Sequence, residues 1–271
     1  MSSLLDKRSR YLRELIIRGL EGGRRGHIGS SMSIVEILRV LYDNILNFDP
    51  KNPKKIDRDR LILSKGHGCL ALYSILADKG FFPLDELDIF CKIDSILGGH
   101  PDQNIPGVET TTGSLGHGFS IGLGIALALR IKNNISKVYI IVGDGEINEG
   151  SVWETCMSAS KHRLDNLIMI IDNNKLQTYG SPEEVAGLNM INKKLESFGF
   201  ETKEIDGHSI PDLNKAFSDV PFSKGKPNAI ICNTIKGKGI DFAENNLHWH
   251  HKSSLSEEDI INLKDSIKKI K

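Results

Sequence analysis

The residues best equipped for chemistry follow two apolar runs. The first run leads into Gly143-Asp144-Gly145-Glu146-Ile147-Asn148-Glu149-Gly150, the second into Asp172-Asn173-Asn174-Lys175-Leu176. Glycines on both sides of one aspartate let the backbone turn tightly and approach a phosphate with no side chain in the way. Asp144 and Asn174 stand 30 residues apart. If the two runs are neighbouring strands, a carboxylate, an amide oxygen and a loop carbonyl converge just past their ends. An all-oxygen set of this kind suits a hard divalent cation holding a diphosphate. Either segment alone reads as an ordinary turn. The pair, each after a buried strand and with a helix between them, points to a site.

The elements that must position these residues alternate regularly. Residues 61–63, 138–142, 167–171 and 229–233 read as buried strands, and 201–205 as a weaker one. Helical stretches lie at 119–131 (a buried helix), 151–162, 189–198 and 211–218. Continuous apolar strands separated by helices predict a doubly wound α/β fold, with a mostly parallel sheet and helices on both faces. Ligands in such folds sit beyond the carboxyl ends of the strands. Upstream, apolar residues from Leu4 to Leu20 recur at helical spacing. A glycine-rich break follows at 22–31, and Ser33 with Glu36 three residues on reads as a capping box opening a helix to about residue 45. A helix is expected at 70–78, and residues 95–118 form a long loop of the sort that is usually functional. The chain shows no internal repeat, so residues 1–271 are expected to form a single domain with an N-terminal helical elaboration.

Composition excludes several classes. The 271 residues carry 35 basic and 35 acidic side chains, so nothing favours nucleic acid or an anionic membrane as a partner. No apolar run approaches the roughly 18 residues of a spanning helix. Four scattered cysteines without a Cys-x-x-Cys pair argue against a zinc cluster or disulfide framework and suit a reducing cytoplasm. No Gly-x-Gly-x-x-Gly follows a first strand, which argues against a dinucleotide-binding dehydrogenase.

The segments GDGEINEG and IIDNNKLQTYG together resemble the fingerprint of thiamine-diphosphate enzymes. Within that superfamily the chain is similar to the N-terminal, diphosphate-binding part of transketolases. Supporting segments are GHIGSSMS (26–33), SKGHG (64–68), GGHPD (98–102), TGSLGHG (112–118) and TIKGKGIDFAENNLHWHHKS (234–253), in the family's order. The resemblance implies thiamine diphosphate and Mg²⁺ or Ca²⁺ as cofactors. Asp144, Asn174 and the Leu176 carbonyl would hold the metal, while Gly143 and Gly145 would lie against the diphosphate. His67 and His250 correspond to histidines near the diphosphate. His27 and His100 correspond to those facing the thiazolium and the first sugar carbons. Gly113 and Leu115 would touch the aminopyrimidine, and Glu149 would link the two cofactor sites at a subunit interface.

The family's pyrimidine-binding domain is missing from these residues, and with it the Glu that activates the cofactor and the arginines that bind sugar phosphate. The expectation is therefore a split transketolase, paired with a separate C-terminal subunit in a two-plus-two heterotetramer acting on sugar phosphates; a fragment is the other reading. Rival functions are the α subunit of a 2-oxo acid dehydrogenase E1, which lacks the histidine series, and a non-catalytic cofactor-binding subunit. Some residues have plainer readings. His162 and His208 fall outside every motif and read as surface or capping residues, and His248 and His251 as solvent-facing. Cys156 and Trp153 read as core. Lys236 and Lys238 read as phosphate ligands or as part of a solvated loop. His117 and His251 stand where the family usually has Gln and Gly.

Overall fold

The computed structural model describes residues 5–187 and 189–269. Five strands form one sheet: β1 (Arg60–Leu63), β2 (Val138–Gly143), β3 (Leu167–Asn173), β4 (Glu201–Asp206) and β5 (Asn228–Asn233). Their order is β1-β2-β3-β5-β4, and every pairing is parallel. The expected "mostly parallel" sheet is thus wholly parallel among the described strands.

The strands look uniformly apolar in sequence because both faces are buried. Their residues split by period two between two cores. Tyr139, Ile141, Ile168, Ile170 and Ile230 face one; Val138, Ile140, Val142, Leu167, Met169 and Ile171 face the other. The first core is covered by α1 (Lys7–Gly23), α3 (Val35–Val40), α4 (Cys69–Asp78), α9 (Ile210–Ser218) and α10 (Glu257–Lys269). The second is covered by α5 (His117–Ile131), α6 (Gly150–Lys161) and α8 (Ile191–Ser197). Helices on both faces make the fold doubly wound. The weaker strand is β4 at one edge of the sheet, which pairs only with β5 and has half-buried and exposed residues but no buried one.

Three expectations need correction. The glycine-rich stretch is not a break throughout: α2 (Ile28–Met32) forms inside it and is wholly buried. Ser33 does not cap a helix. Its hydroxyl donates to Ser30 O at 3.2 Å and to Asp172 Oδ2 at 2.8 Å, because burial beside a carboxylate offers a stronger acceptor interaction than a helix start. Helix α5 is not buried all round. Ile121 and Ile131 are exposed, as is Met157 of α6. Cys156 is fully buried as expected, and Trp153 packs against Phe198 with ring centroids 5.4 Å apart.

His208 also departs from its reading as a surface residue. It is buried, and its Nδ1 lies 2.8 Å from Glu36 Oε2. Glu36 in turn receives two hydrogen bonds from the buried Arg13 guanidinium, at 2.5 and 3.0 Å. Ile235 N–H donates to His208 Nε2 at 2.9 Å, and Arg13 Nε donates to Lys238 O at 2.8 Å. The donor–acceptor pattern fixes the Nδ1–H tautomer. Burial pushes the Glu36 carboxyl up, but the Arg13 charge and the His208 bond outweigh it and hold it well below its ordinary value. This cluster ties α1 and α3 to the 234–239 loop.

Candidate active site

Pairing of β2 with β3 sets Gly143 opposite Asp172, so Asp144 and Asn174 emerge side by side at the carboxyl edge. They border a cleft of about 220 Å³ that also takes in His27, His67, Gly113, Leu115, Gly143, Gly145, Leu176 and His250. Sequence positions from 27 to 250 meet here because parallel strands deliver all their carboxyl ends to one edge.

Local geometry explains each placement. Asp144 is buried, with Oδ1 accepting from Gly145 N–H at 2.7 Å and Oδ2 from Lys175 N–H at 2.5 Å. Burial and then the Asp172 charge push its carboxyl up to about 6. Asn174 Nδ2 donates to Asp172 Oδ2 at 2.9 Å; an ionised carboxylate only accepts, so this bond settles which end of the amide faces it. Asn174 Oδ1 is left toward the loop, where Leu176 N–H donates to it at 3.2 Å. Gly113 has φ +150, and a Cβ there would lie 3.1 Å from the His100 ring, so glycine is required for this close approach.

The histidines form a cluster around His27. Its ring centroid lies 5.5 Å from His67, 5.9 Å from His100, 5.6 Å from His250 and 4.4 Å from His251. Burial, followed by the His251 charge, lowers His27 to about 3. Burial and then Lys236 lower His250 to about 4. His67 and His100 are lowered too, burial leading in both. All four imidazoles are therefore neutral near pH 7, able to donate at one nitrogen and accept at the other.

Two predicted residues lie outside the cleft. His100 borders an adjoining cavity that shares His27 with it. Glu149 is exposed at the start of α6 and does not line the cleft, although its N–H donates to the carbonyl of the cleft residue Glu146 at 3.0 Å. Of the histidines with plainer readings, His162 and His248 are exposed as expected. His251 is exposed but packs on His27.

Several residues in or next to the cleft escaped the sequence. Asp172 is fully buried and accepts from Ser33, Thr234, Asn174 and the buried Lys65 ammonium. Burial raises it, but the Lys65 charge and these bonds leave it below its usual value. Glu146 is also buried, receiving Ser64 Oγ, Gly116 N–H at 2.8 Å and Gly143 N–H at 3.0 Å; it shapes the turn and ties it to the start of α5. Gln177 lines the cleft as well. Lys236 and Lys238 are both buried, which overturns the solvated-loop reading. Lys236 Nζ donates to Leu176 O at 2.7 Å, and burial followed by the Lys65 charge lowers it to about 8. The available signal was that two lysines stood among glycines in IKGKG; nothing local gave their burial.

The cleft fits a metal-bound diphosphate. The donor set of one carboxylate, one amide oxygen and one carbonyl suits Mg²⁺ or Ca²⁺. Among the described residues no three His, Cys, Asp or Glu side chains are grouped to hold a metal, as the softer metals would want. His250 Nδ1 and Gln177 Nε2 are buried at the cleft without a hydrogen-bond partner, and an anionic ligand would satisfy such groups.

A parallel sheet with oxygen donors and glycine turns at its carboxyl edge defines an α/β chain built to bind a diphosphate. The family described as "Transketolase, thiamine diphosphate binding domain" matches residues 6–268, and the chain belongs to the transketolase family. It is 41% identical over 255 residues to the 6-deoxy-6-sulfo-D-fructose transketolase subunit SqwG of Clostridium sp., covering 94% of this chain and 92% of that one. It is 37% identical over 254 residues to an apulose-4-phosphate transketolase subunit of Phocaeicola vulgatus, covering 94% and 90%. Transketolase from Leishmania mexicana superposes with a TM-score of 0.89 at 32% identity, covering 97% of this chain and 41% of that one. The chain thus spans about two fifths of that protein. These matches support an enzyme chain of the transketolase kind over the E1 α subunit.

Proposed function

We propose that this chain is the diphosphate-binding subunit of a two-chain transketolase, moving a two-carbon ketol unit from a ketose phosphate to an aldose acceptor. The observation that carries the reading is the single cleft in which Asp144, Asn174 and Leu176 meet the neutral histidine cluster. The relatives matched along nearly their full length are named as subunits, which supports a separate partner chain bearing the pyrimidine-binding domain. A two-plus-two assembly would then place the cofactor between the chains. The reading treats the whole chain as one diphosphate-binding domain.

Asp144, Asn174 and the Leu176 carbonyl would hold Mg²⁺ or Ca²⁺. His67, His250, Gln177 and Lys236 would donate to phosphate oxygens, and Gly143, Gly145, Gly113 and Leu115 would bound the cofactor. Bound there, thiamine diphosphate supplies the carbon that carries the two-carbon unit. His27 and His100 orient the sugar hydroxyls and move a proton at the carbonyl end, a task suited to neutral imidazole. We place Glu149 at an interface between copies, consistent with its exposure at the start of α6. No described helix is long and apolar enough to cross a membrane. All four cysteines are unpaired, which supports the reducing cytoplasm as the location.

A coupled assay with xylulose 5-phosphate, ribose 5-phosphate, thiamine diphosphate and Mg²⁺ tests the proposal. Turnover is expected only when this chain is mixed with the chain carrying the pyrimidine-binding domain. Robust turnover by a homogeneous preparation of this chain alone would refute the two-chain reading.

A further inference from the structure

Residues 234–239 bring Lys236 to the cleft, where its Nζ donates to Leu176 O at 2.7 Å. The segment lies outside helix and strand, so its place depends on what its backbone groups bond to. Bonds from three distant segments hold it. Gly237 N–H donates to Gly29 O of α2 at 3.0 Å. Lys238 O accepts from Arg13 Nε at 2.8 Å, and Ile235 N–H donates to His208 Nε2 at 2.9 Å.

His208 is itself fixed from behind. It stands between β4 and α9, buried, with Nδ1–H given to Glu36 Oε2 at 2.8 Å. Glu36 is in turn locked by Arg13, whose guanidinium has five N–H donors. Two go to Glu36, and the others to Lys238 O, to Met32 O at 3.1 Å and to Ser9 O at 3.3 Å. Met32 closes α2, and His27 is the residue that opens it. One buried cluster therefore grips both the segment carrying Lys236 and the helix that starts at His27. A hydrogen bond weakens steeply once its atoms part, and a misplacement of about 1 Å far from the chemistry can cost a site much of its effect.

We propose that His208 is a positioning residue for the diphosphate: its Nε2 holds the Ile235 amide and thereby sets Lys236 against the phosphate oxygens. The inference rests on the transketolase reading, which puts a diphosphate beside Lys236. It extends that reading to a residue that does not line the cleft and whose two ring nitrogens divide the work, one facing the core cluster and one facing the segment.

Two substitutions separate the two bonds of the ring. An Asn amide ends near the Nδ1 position and still donates to Glu36, but offers Ile235 nothing. A Gln amide reaches the Nε2 position and still accepts from Ile235, but offers Glu36 nothing. In the assembled two-chain enzyme with Mg²⁺, His208→Asn is expected to weaken thiamine diphosphate binding about fivefold by calorimetry, as loss of one buried backbone bond implies. His208→Gln should stay within about twofold of wild type. Because His208 acts through Lys236, the double variant His208→Asn/Lys236→Met should bind no more weakly than Lys236→Met alone. An unaltered Kd in His208→Asn, equal losses in the Asn and Gln variants, or losses that multiply in the double variant overturn the proposal, since a merely structural histidine gives those patterns. Hydrogen exchange tests the positioning without the cofactor: the Ile235 and Gly237 amides should exchange faster in His208→Asn than in wild type. Failure of the wild-type assembly to bind thiamine diphosphate counts against the transketolase reading, whereas unchanged exchange at those two amides overturns the role of His208 itself.

Discussion

The Arg13–Glu36–His208 cluster and the Asp144–Asp172–Lys65 cluster are both buried, yet their charges are balanced differently. Around Glu36, both carboxylate oxygens are taken by a guanidinium and an imidazole, and the carboxyl is held below its ordinary value. Around Asp144, the Lys65 ammonium is spent on Asp172. Asp144 is left to backbone amides and pushed up to about 6, Lys236 is pushed down to about 8, and His250 Nδ1 and Gln177 Nε2 have no partner. A buried charge that is fully answered makes no further demand for a partner, and the fold suffers when one member is removed. One that is not is where a ligand's charge would complete the set, which is why perturbed groups gather at functional sites.

Breaking the balanced cluster should have the largest effect. Arg13→Met leaves Glu36 buried without its cation and is expected to cost about 3–5 kcal/mol in urea unfolding. The double change with Glu36→Met should recover much of that loss; a loss equal to the sum of the single changes would mean that the two residues do not act as a pair. The same cluster sets a pH dependence. Because the folded Glu36 value is depressed, its contribution is present above the unfolded value of about 4.5 and is lost as pH falls below it toward the folded value. Glu36→Gln should therefore flatten the acid limb of the stability profile.

The unbalanced cluster gives effects on binding. Asp144→Ala removes the charged member of the proposed metal-ligand set and should weaken metal-dependent binding of thiamine diphosphate more than about 100-fold, since even outer-shell losses reach that level; calorimetry showing unchanged affinity would sink the metal assignment. His100→Ala should lower kcat about 100-fold, in the range of lost acid–base catalysis, while leaving cofactor affinity nearly intact. A defect confined to cofactor affinity would place His100 with the diphosphate groups instead. Lys236→Met should produce the smallest change, roughly tenfold in cofactor affinity, and an unaffected Kd would return that lysine to a purely structural place.

Much of the fold could be read from the chain. Uniformly apolar strands separated by helices required a parallel sheet covered on both faces, and the carboxyl-edge rule placed Asp144 and Asn174 together at one edge. The misreadings share one cause. Ser33, Glu36, His208 and Lys236 looked like caps, surface residues or loop residues because their partners lie 23 to 172 positions away. Local pattern registers polarity, and polarity alone reads as exposure. Helix α5 erred in the other direction: its apolar run signalled full burial, while Ile121 and Ile131 are exposed in this chain.

By itself, then, the sequence determined the element types, the sheet class and the edge at which Asp144 and Asn174 come together. These follow from periodicity and turn chemistry, which are properties of neighbouring residues. Tertiary structure alone decided which charges are answered and which are not. Whether Lys65 reaches Asp172, whether Lys236 reaches the Leu176 carbonyl, and whether His251 lies against His27 depend on segments brought together across the whole chain. Electrostatic balance is a sum over space, and only the folded molecule fixes the distances in that sum.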